Sequence, residues 1–152
     1  MDLGCAPGGW LQVAQKLSGN QGKVMGIDLS FVEEIPDTNI IQADIENLDV
    51  VDDIMSYFGK KIDSLICDLS PQVSGNWSVD HATQISLNYS AVKIMEQVLD
   101  KKGNALFKVF DGEYSAEFFD FMKTKFIKTK RTKPKASRKP SSELYCICMG
   151  YL

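Results

Sequence analysis

Two hydrophobic periods alternate along this chain. Short apolar runs that close on a polar residue read as buried strands, and stretches with apolar residues every third or fourth position read as helices. Met1–Leu3 reads as the end of a strand, Gly4–Gly9 as a glycine-rich turn, and Trp10–Leu17 as a helix with Leu11, Ala14 and Leu17 on one face. Lys23–Asp28 predicts a strand ending in an acid, and Asn39–Gln42 a short strand followed by Ala43 and Asp44. Val50–Phe58 predicts a helix, and Ile62–Cys67 an apolar strand running into Asp68. Ala82–Leu99 reads as a long helix, Asn104–Phe110 as a strand, Ala116–Phe126 as an amphipathic helix and Glu143–Gly150 as a final strand.

Strands alternating with helices imply an α/β domain, a largely parallel sheet covered on both faces. Such sheets bind ligands beyond the carboxyl ends of their strands, near the point where strand order reverses. The residues at those ends are Gly4, Asp28, Asp44 and Asp68, which this topology gathers at one edge. That edge suits a cofactor containing a nucleoside.

Composition narrows the picture. The 152 residues fit one domain over 1–152, with no repeat or linker. No apolar run approaches the roughly 18 residues of a membrane span, and the first residues do not resemble a signal peptide, so the cytoplasm is the expected compartment. Cys5, Cys67, Cys146 and Cys148 lie in or beside apolar stretches without zinc-finger spacing, and read as buried small hydrophobes rather than metal ligands.

Charge adds a partner class. The net charge is −3, yet residues 123–142 hold nine lysines and arginines and no acid. They are Lys123, Lys125, Lys128, Lys130, Arg131, Lys133, Lys135, Arg138 and Lys139. A basic block on an acidic body is a footprint for a polyanion, although such runs also occur as plain solvated faces. Pro134 and Pro140 predict a loop there rather than a continuous helix.

The turn Asp2-Leu3-Gly4-Cys5-Ala6-Pro7-Gly8-Gly9-Trp10 brings backbone close to a ligand and offers helix-start N–H groups to a carboxylate. Its glycines match neither the G-x-G-x-x-G pattern nor a phosphate-binding P-loop, which argues against a nicotinamide oxidoreductase. Asp28, about 20 residues further on, is placed to accept hydrogen bonds from both hydroxyls of a ribose. Asp44 is placed to meet an adenine amino group.

Several segments in order, DLGCAPGGW at 2–10, GIDL at 26–29, DI at 44–45, CDLSPQVSG at 67–75, LFKVFDGE at 106–113 and KPKASRKPSSELY at 133–145, resemble the RrmJ/FtsJ ribose 2′-O-methyltransferases. The resemblance covers essentially the whole chain. It implies a Rossmann-like class I methyltransferase fold, a mostly parallel seven-stranded sheet with an antiparallel last strand and helices on both faces. It implies S-adenosyl-L-methionine as cofactor, with Gly4, Gly8, Trp10, Asp28, Asp44 and Asp68 around it. From the family's Lys-Asp-Lys-Glu catalytic set, Asp68, Lys108 and Glu143 match the last three members. The first lysine belongs to a helix upstream of the glycine-rich turn, so the expectation is that this sequence continues a longer natural chain. The implied substrate is RNA, a uridine of large-subunit (23S-type) ribosomal RNA or the large ribosomal subunit, acted on by a monomer. The alternatives are a tRNA 2′-O-methyltransferase and a non-catalytic RNA-binding protein that keeps the fold.

The chemistry suits these residues. A ribose hydroxyl is a weak nucleophile until its proton is being removed, whereas a sulfonium methyl is already activated. Alignment supplies up to roughly 7–11 kcal/mol and a placed base about 10²–10⁴-fold. Lys108, flanked by Phe107, Val109 and Phe110, is the expected base. Burial and a second lysine would favour its neutral amine, and Asp68 pulls the other way and chiefly orients. Pro71 ends the strand behind Asp68 and turns it toward the cleft. Trp77, in the polar loop Gln72–Asp80, reads as a packing side chain, with stacking against a base as the alternative. His81 reads as a surface or capping-region residue.

Overall fold

The computed structural model describes residues 1–134 and 141–152, so Lys135, Arg138, Lys139 and Pro140 of the basic block lie outside the described residues. Seven strands form one sheet in the order β3-β2-β1-β4-β5-β7-β6. They are β1 Asp2–Leu3, β2 Val24–Asp28, β3 Thr38–Gln42, β4 Ile62–Cys67, β5 Leu99–Phe110, β6 Phe126–Thr132 and β7 Glu143–Tyr151. The first five pair in parallel. The final strand β7 inserts between β5 and β6 and runs antiparallel to both. The order reverses at β1, which lies between β2 and β4.

Helices α1 Gly9–Ser18, α2 Val50–Phe58, α3 Trp77–Val98 and α4 Ser115–Lys125 cover both faces. Strand alternation sorts them. Val24 packs with Cys5 and Leu11 beneath α1, and Gly26 leaves room for those same two side chains. Met25 and Ile27 join the larger core that α2, α3 and α4 complete with Ile54, Ile94, Met95, Phe118 and Met122. Burying a side chain of this size stabilises the fold by about 1.5–3 kcal/mol. The same alternation puts Ala105, Phe107 and Val109 of β5 in the larger core. Lys108 and Phe110 therefore lie on the α1 face. All four cysteines are buried, and burial pushes the Cys5 and Cys67 thiols up to about 12. No helix among the described residues is long and apolar enough to cross a membrane.

Three expectations are corrected. The long helix starts at Trp77, not Ala82, because Asn76 Oδ1 accepts from the backbone N–H groups of Ser78 and Val79 and caps it. Part of the basic block is strand β6 rather than loop, paired along β7 from Phe126↔Tyr151 to Thr132↔Tyr145. Strand β5 starts at Leu99, since a register irregularity absorbs Asp100–Gly103 before the regular pairing resumes at Asn104.

Candidate active site

The β1–α1 turn is built on two glycines. Gly4 has φ +78°, and a Cβ there would meet the Leu69 backbone at 3.0 Å, so the turn packs directly on the segment after β4. Gly8, φ +111°, caps α1 and packs against Ile35. No side chain caps the first turn of α1, which leaves its N–H groups for another acceptor. Asp28 holds the turn in place. Its Oδ2 accepts from Ala6 N–H at 2.9 Å and its Oδ1 from Ser30 N–H at 2.8 Å. One lone pair on each oxygen remains for a ligand. Asp44, exposed after β3, accepts from Glu46 N–H at 2.9 Å.

Lys108 is 6% exposed. Its Nζ donates to the Asp68 carbonyl oxygen at 3.0 Å and to Ser70 Oγ at 2.6 Å, and lies 3.0 Å from Asp68 Oδ1 as an ion pair. Two N–H donors thus meet oxygens of the loop after β4, while Asp68 Oδ1 lies beside them as a charge partner without a hydrogen bond of its own. The Lys108 backbone is gripped from the other side. Strand β4 ends its pairing with β5 at Cys67↔Phe107. Beyond that point Gln84 Nε2 and Asn88 Nδ2, both fully buried on α3, each donate to the Lys108 carbonyl at 2.8 Å. Gln84 Oε1 accepts from Phe110 N–H at 3.2 Å. Two side-chain amides therefore replace the missing strand. Sequence reading passed over both, because they sit in a helix where nothing marks a polar residue as buried.

Asp2 was also missed. It is fully buried in β1 and neither carboxylate oxygen has a hydrogen-bond partner. Burial raises its pKa to about 7, with the Asp68 and Asp28 charges adding in the same direction. Its position, one residue before Leu3-Gly4 in the glycine-rich motif, is the signal that could have found it.

The register places Tyr145 opposite Lys108 and Glu143 opposite Phe110, so all four share the α1 face. Glu143 makes no ion pair with Lys108 among the described residues. Trp10 of α1 reaches Tyr145, with ring centroids 6.0 Å apart. Burial raises the Tyr145 hydroxyl pKa, and the Asp68 and Glu143 charges act in the same sense. A cleft of about 610 Å³ joins Gly4, Asp28, Asp44, Asp68, Ser70 and Lys108. Gly8, Trp10 and Glu143 do not line it. His81 is corrected from surface to interior. It is 2% exposed and its Nε2 accepts from Tyr114 N–H at 3.0 Å.

A central strand turning through glycines into α1, acids at successive strand ends and a buried lysine beside one of them define the class. The fold is that of the Rossmann-like methyltransferases. The sequence profile of the FtsJ-like methyltransferases matches residues 1–151, and the chain belongs to that family and is a methyltransferase. It is 68% identical over 152 residues to the ribosomal RNA large subunit methyltransferase E of Nitrosopumilus maritimus, spanning all of this chain and 77% of the relative. The protein of the same name from Cenarchaeum symbiosum is 57% identical, over 99% of this chain and 76% of its own length. The crystal structure of a ribosomal RNA methyltransferase from Plasmodium falciparum superposes with a TM-score of 0.88 at 30% identity, covering 99% of this chain and 85% of that one.

Proposed function

We propose that this chain transfers the methyl group of S-adenosylmethionine to a ribose 2′-hydroxyl of large-subunit ribosomal RNA, acting as a single-domain cytoplasmic monomer. One observation carries the reading. The cofactor-type acids Asp28 and Asp44 and the Lys108–Asp68 pair open into one cleft.

The residues fit this cofactor. The uncapped start of α1 suits its carboxylate, the spare lone pairs of Asp28 its ribose hydroxyls, and Asp44 its adenine amino group. The unpartnered carboxylate of Asp2 lies beneath the same turn and suits a cationic ligand above it. When bound, S-adenosylmethionine supplies a methyl carbon activated by its sulfonium. In its neutral-amine form, Lys108 Nζ takes the proton of the acceptor hydroxyl on its lone pair. The ammonium so formed is held by Asp68 and Ser70 in the arrangement described above, which stabilises the proton on the lysine. Glu143 lies opposite Phe110 in the register, on the same sheet face as Lys108. The sheet fixes all of these groups before substrate arrives, and alignment is the larger part of the catalysis.

The names of the relatives favour ribosomal RNA over tRNA. Mass-spectrometric mapping of 2′-O-methyl groups in RNA from cells lacking this protein tests the reading. The expected result is loss of methylation at a large-subunit position. Loss confined to tRNA would move the assignment to the alternative substrate, and an unchanged map would sink it.

A further inference from the structure

The amine of Lys108 is nearly covered, yet one of its partners is not. Lys108 is buried, whereas Ser70, whose Oγ lies 2.6 Å from Nζ, is exposed and lines the same cleft. The other groups on the amine are the Asp68 carbonyl oxygen and Oδ1. A carbonyl and a carboxylate only accept, while a hydroxyl both accepts and donates. Ser70 Oγ has no hydrogen-bond partner besides Nζ among the described residues. One lone pair and its own hydrogen remain to it.

The loop that carries Ser70 is fixed in place. Asp68 N–H donates to the Leu3 carbonyl at 2.9 Å, which continues the pairing of β4 with β1. The Leu69 backbone packs against Gly4, where a Cβ would sit 3.0 Å away. Pro71 confines the Ser70 backbone to extended conformations, since its ring would clash with a helical residue before it. The hydroxyl is therefore set against Nζ before any substrate arrives.

We propose that Ser70 is a catalytic residue that relays the acceptor proton to Lys108. This rests on the reading that the acceptor is a ribose hydroxyl. With Lys108 as the neutral amine, the Ser70 hydroxyl turns its hydrogen to the Nζ lone pair and offers Oγ to the acceptor hydroxyl. The acceptor oxygen forms its bond to the methyl carbon as the carbon–sulfur bond breaks, the electron pair of that bond staying on sulfur. In the same step the acceptor O–H bond breaks as a new Oγ–H bond forms, and the old Oγ–H bond breaks as the amine gains its third N–H. Ser70 is unchanged at the end. The positive charge lost from sulfur reappears on Lys108, beside the Asp68 carboxylate. The hydroxyl then accepts from the ammonium, which is the arrangement the structure shows.

The test follows single-turnover methylation of a large-subunit RNA transcript by the whole protein in mixtures of light and heavy water. Two protons move in the wild type, so its rate should follow a bowed curve as deuterium replaces hydrogen. Ser70→Ala should slow transfer roughly 10²-fold, the lower end of what a positioned proton acceptor contributes. Its remaining rate should fall in a straight line with deuterium, because one proton then moves directly. Ser70→Thr keeps the hydroxyl and should restore most of the rate together with the curvature. In the cofactor-free protein, the nitrogen NMR resonance of Lys108 Nζ should move in Ser70→Ala and hold in Ser70→Thr. Unchanged S-adenosylmethionine affinity reports that the fold is intact. A wild-type rate in Ser70→Ala overturns the relay. So does a deuterium dependence of the same shape in wild type and variant, which would make Ser70 a positioning residue only. A wild type that leaves the ribose hydroxyls of the transcript unmethylated overturns the acceptor reading and the relay with it.

Discussion

Lys108 takes its meaning from the oxygens around it. Asp68 and Ser70 suit a protonated amine, and the same geometry would accept a guanidinium. Lys108→Arg therefore separates charge from proton transfer, because arginine stays protonated. Methyl transfer in single turnover should fall by at least the ~10²–10⁴-fold that a placed base contributes. S-adenosylmethionine affinity, measured by calorimetry, should be nearly unchanged. Near-wild-type turnover would show that the lysine only orients. Asp2 gives a second residue-level expectation. Unfolded, it ionises near 3.8, and folded it keeps its proton to about 7 because it is buried. Between those values the native state binds a proton that the unfolded state has lost, so stability falls as pH rises from about 4 to 7. Denaturant melts of the cofactor-free protein across that window should show the decline, and Asp2→Asn should flatten it. Equal slopes in the two proteins would refute the assignment. At this scale the sequence made Asp28, Asp68 and Lys108 legible, because each ends or continues an apolar strand beside a turn. It hid Asp2, since an acid in the first strand looks like one more strand end until its burial is known.

At the scale of elements, the strand β5 outruns its parallel neighbour by the residues that matter. A strand end past its partner would leave carbonyls unpaired beside the cleft. Helix α3 fills the gap with Gln84 and Asn88, one turn apart and so on one helix face. Replacing Asn88 by leucine removes one donor to the Lys108 carbonyl and should cost about 1–3 kcal/mol by chemical denaturation. Asn88→Asp is the sharper probe, since it sets a carboxylate against that carbonyl. It should depress kcat more than KM for RNA, because Lys108 shifts while the RNA surface does not. Equal effects on both constants would mean that the pair only supports the fold. Most strands and helices were legible from their periods, whereas the reversal in order at β1 is set by the strand pairing and was not. Strand β6 was not, because as the outermost strand it carries exposed Ile127, Lys128, Lys130 and Arg131 and buries little beyond Phe126. Its alternation lacks the apolar face that marks a strand. The start of α3 was hidden for a related reason, since Trp77, Val79 and the buried polar pair Asp80 and His81 show no helical period.

For the whole molecule, the separation of charge seen in the sequence survives in altered form. Among the described residues the basic block does not project as a uniform arm. Lys123 pairs with Asp120, Lys125 with Glu96 and Arg131 with Asp111. Exposed pairs of this kind contribute little to stability, at most about 1 kcal/mol each, but they reduce the charge available to phosphates. Lys128 and Lys130 project together from one face of β6, at the rim of the sheet. They serve a second purpose there, since lysines on an outermost strand deter pairing with another chain. The salt dependence of RNA binding should reflect this division. Each phosphate neutralised on a single strand adds about 0.7 to the slope of log K against log salt. The wild-type slope should therefore fall short of what nine free cations would give. Lys128→Gln with Lys130→Gln should reduce it by roughly 1.4, while Lys123→Gln should change it little, because that charge is already engaged. Single-turnover methylation on saturating RNA should be unaffected in both variants, as neither site lines the cleft. A slope equally sensitive to Lys123 and to Lys128 would mean that the carboxylate partners give way when RNA binds. A slope indifferent to all three would move the phosphate track off this edge altogether.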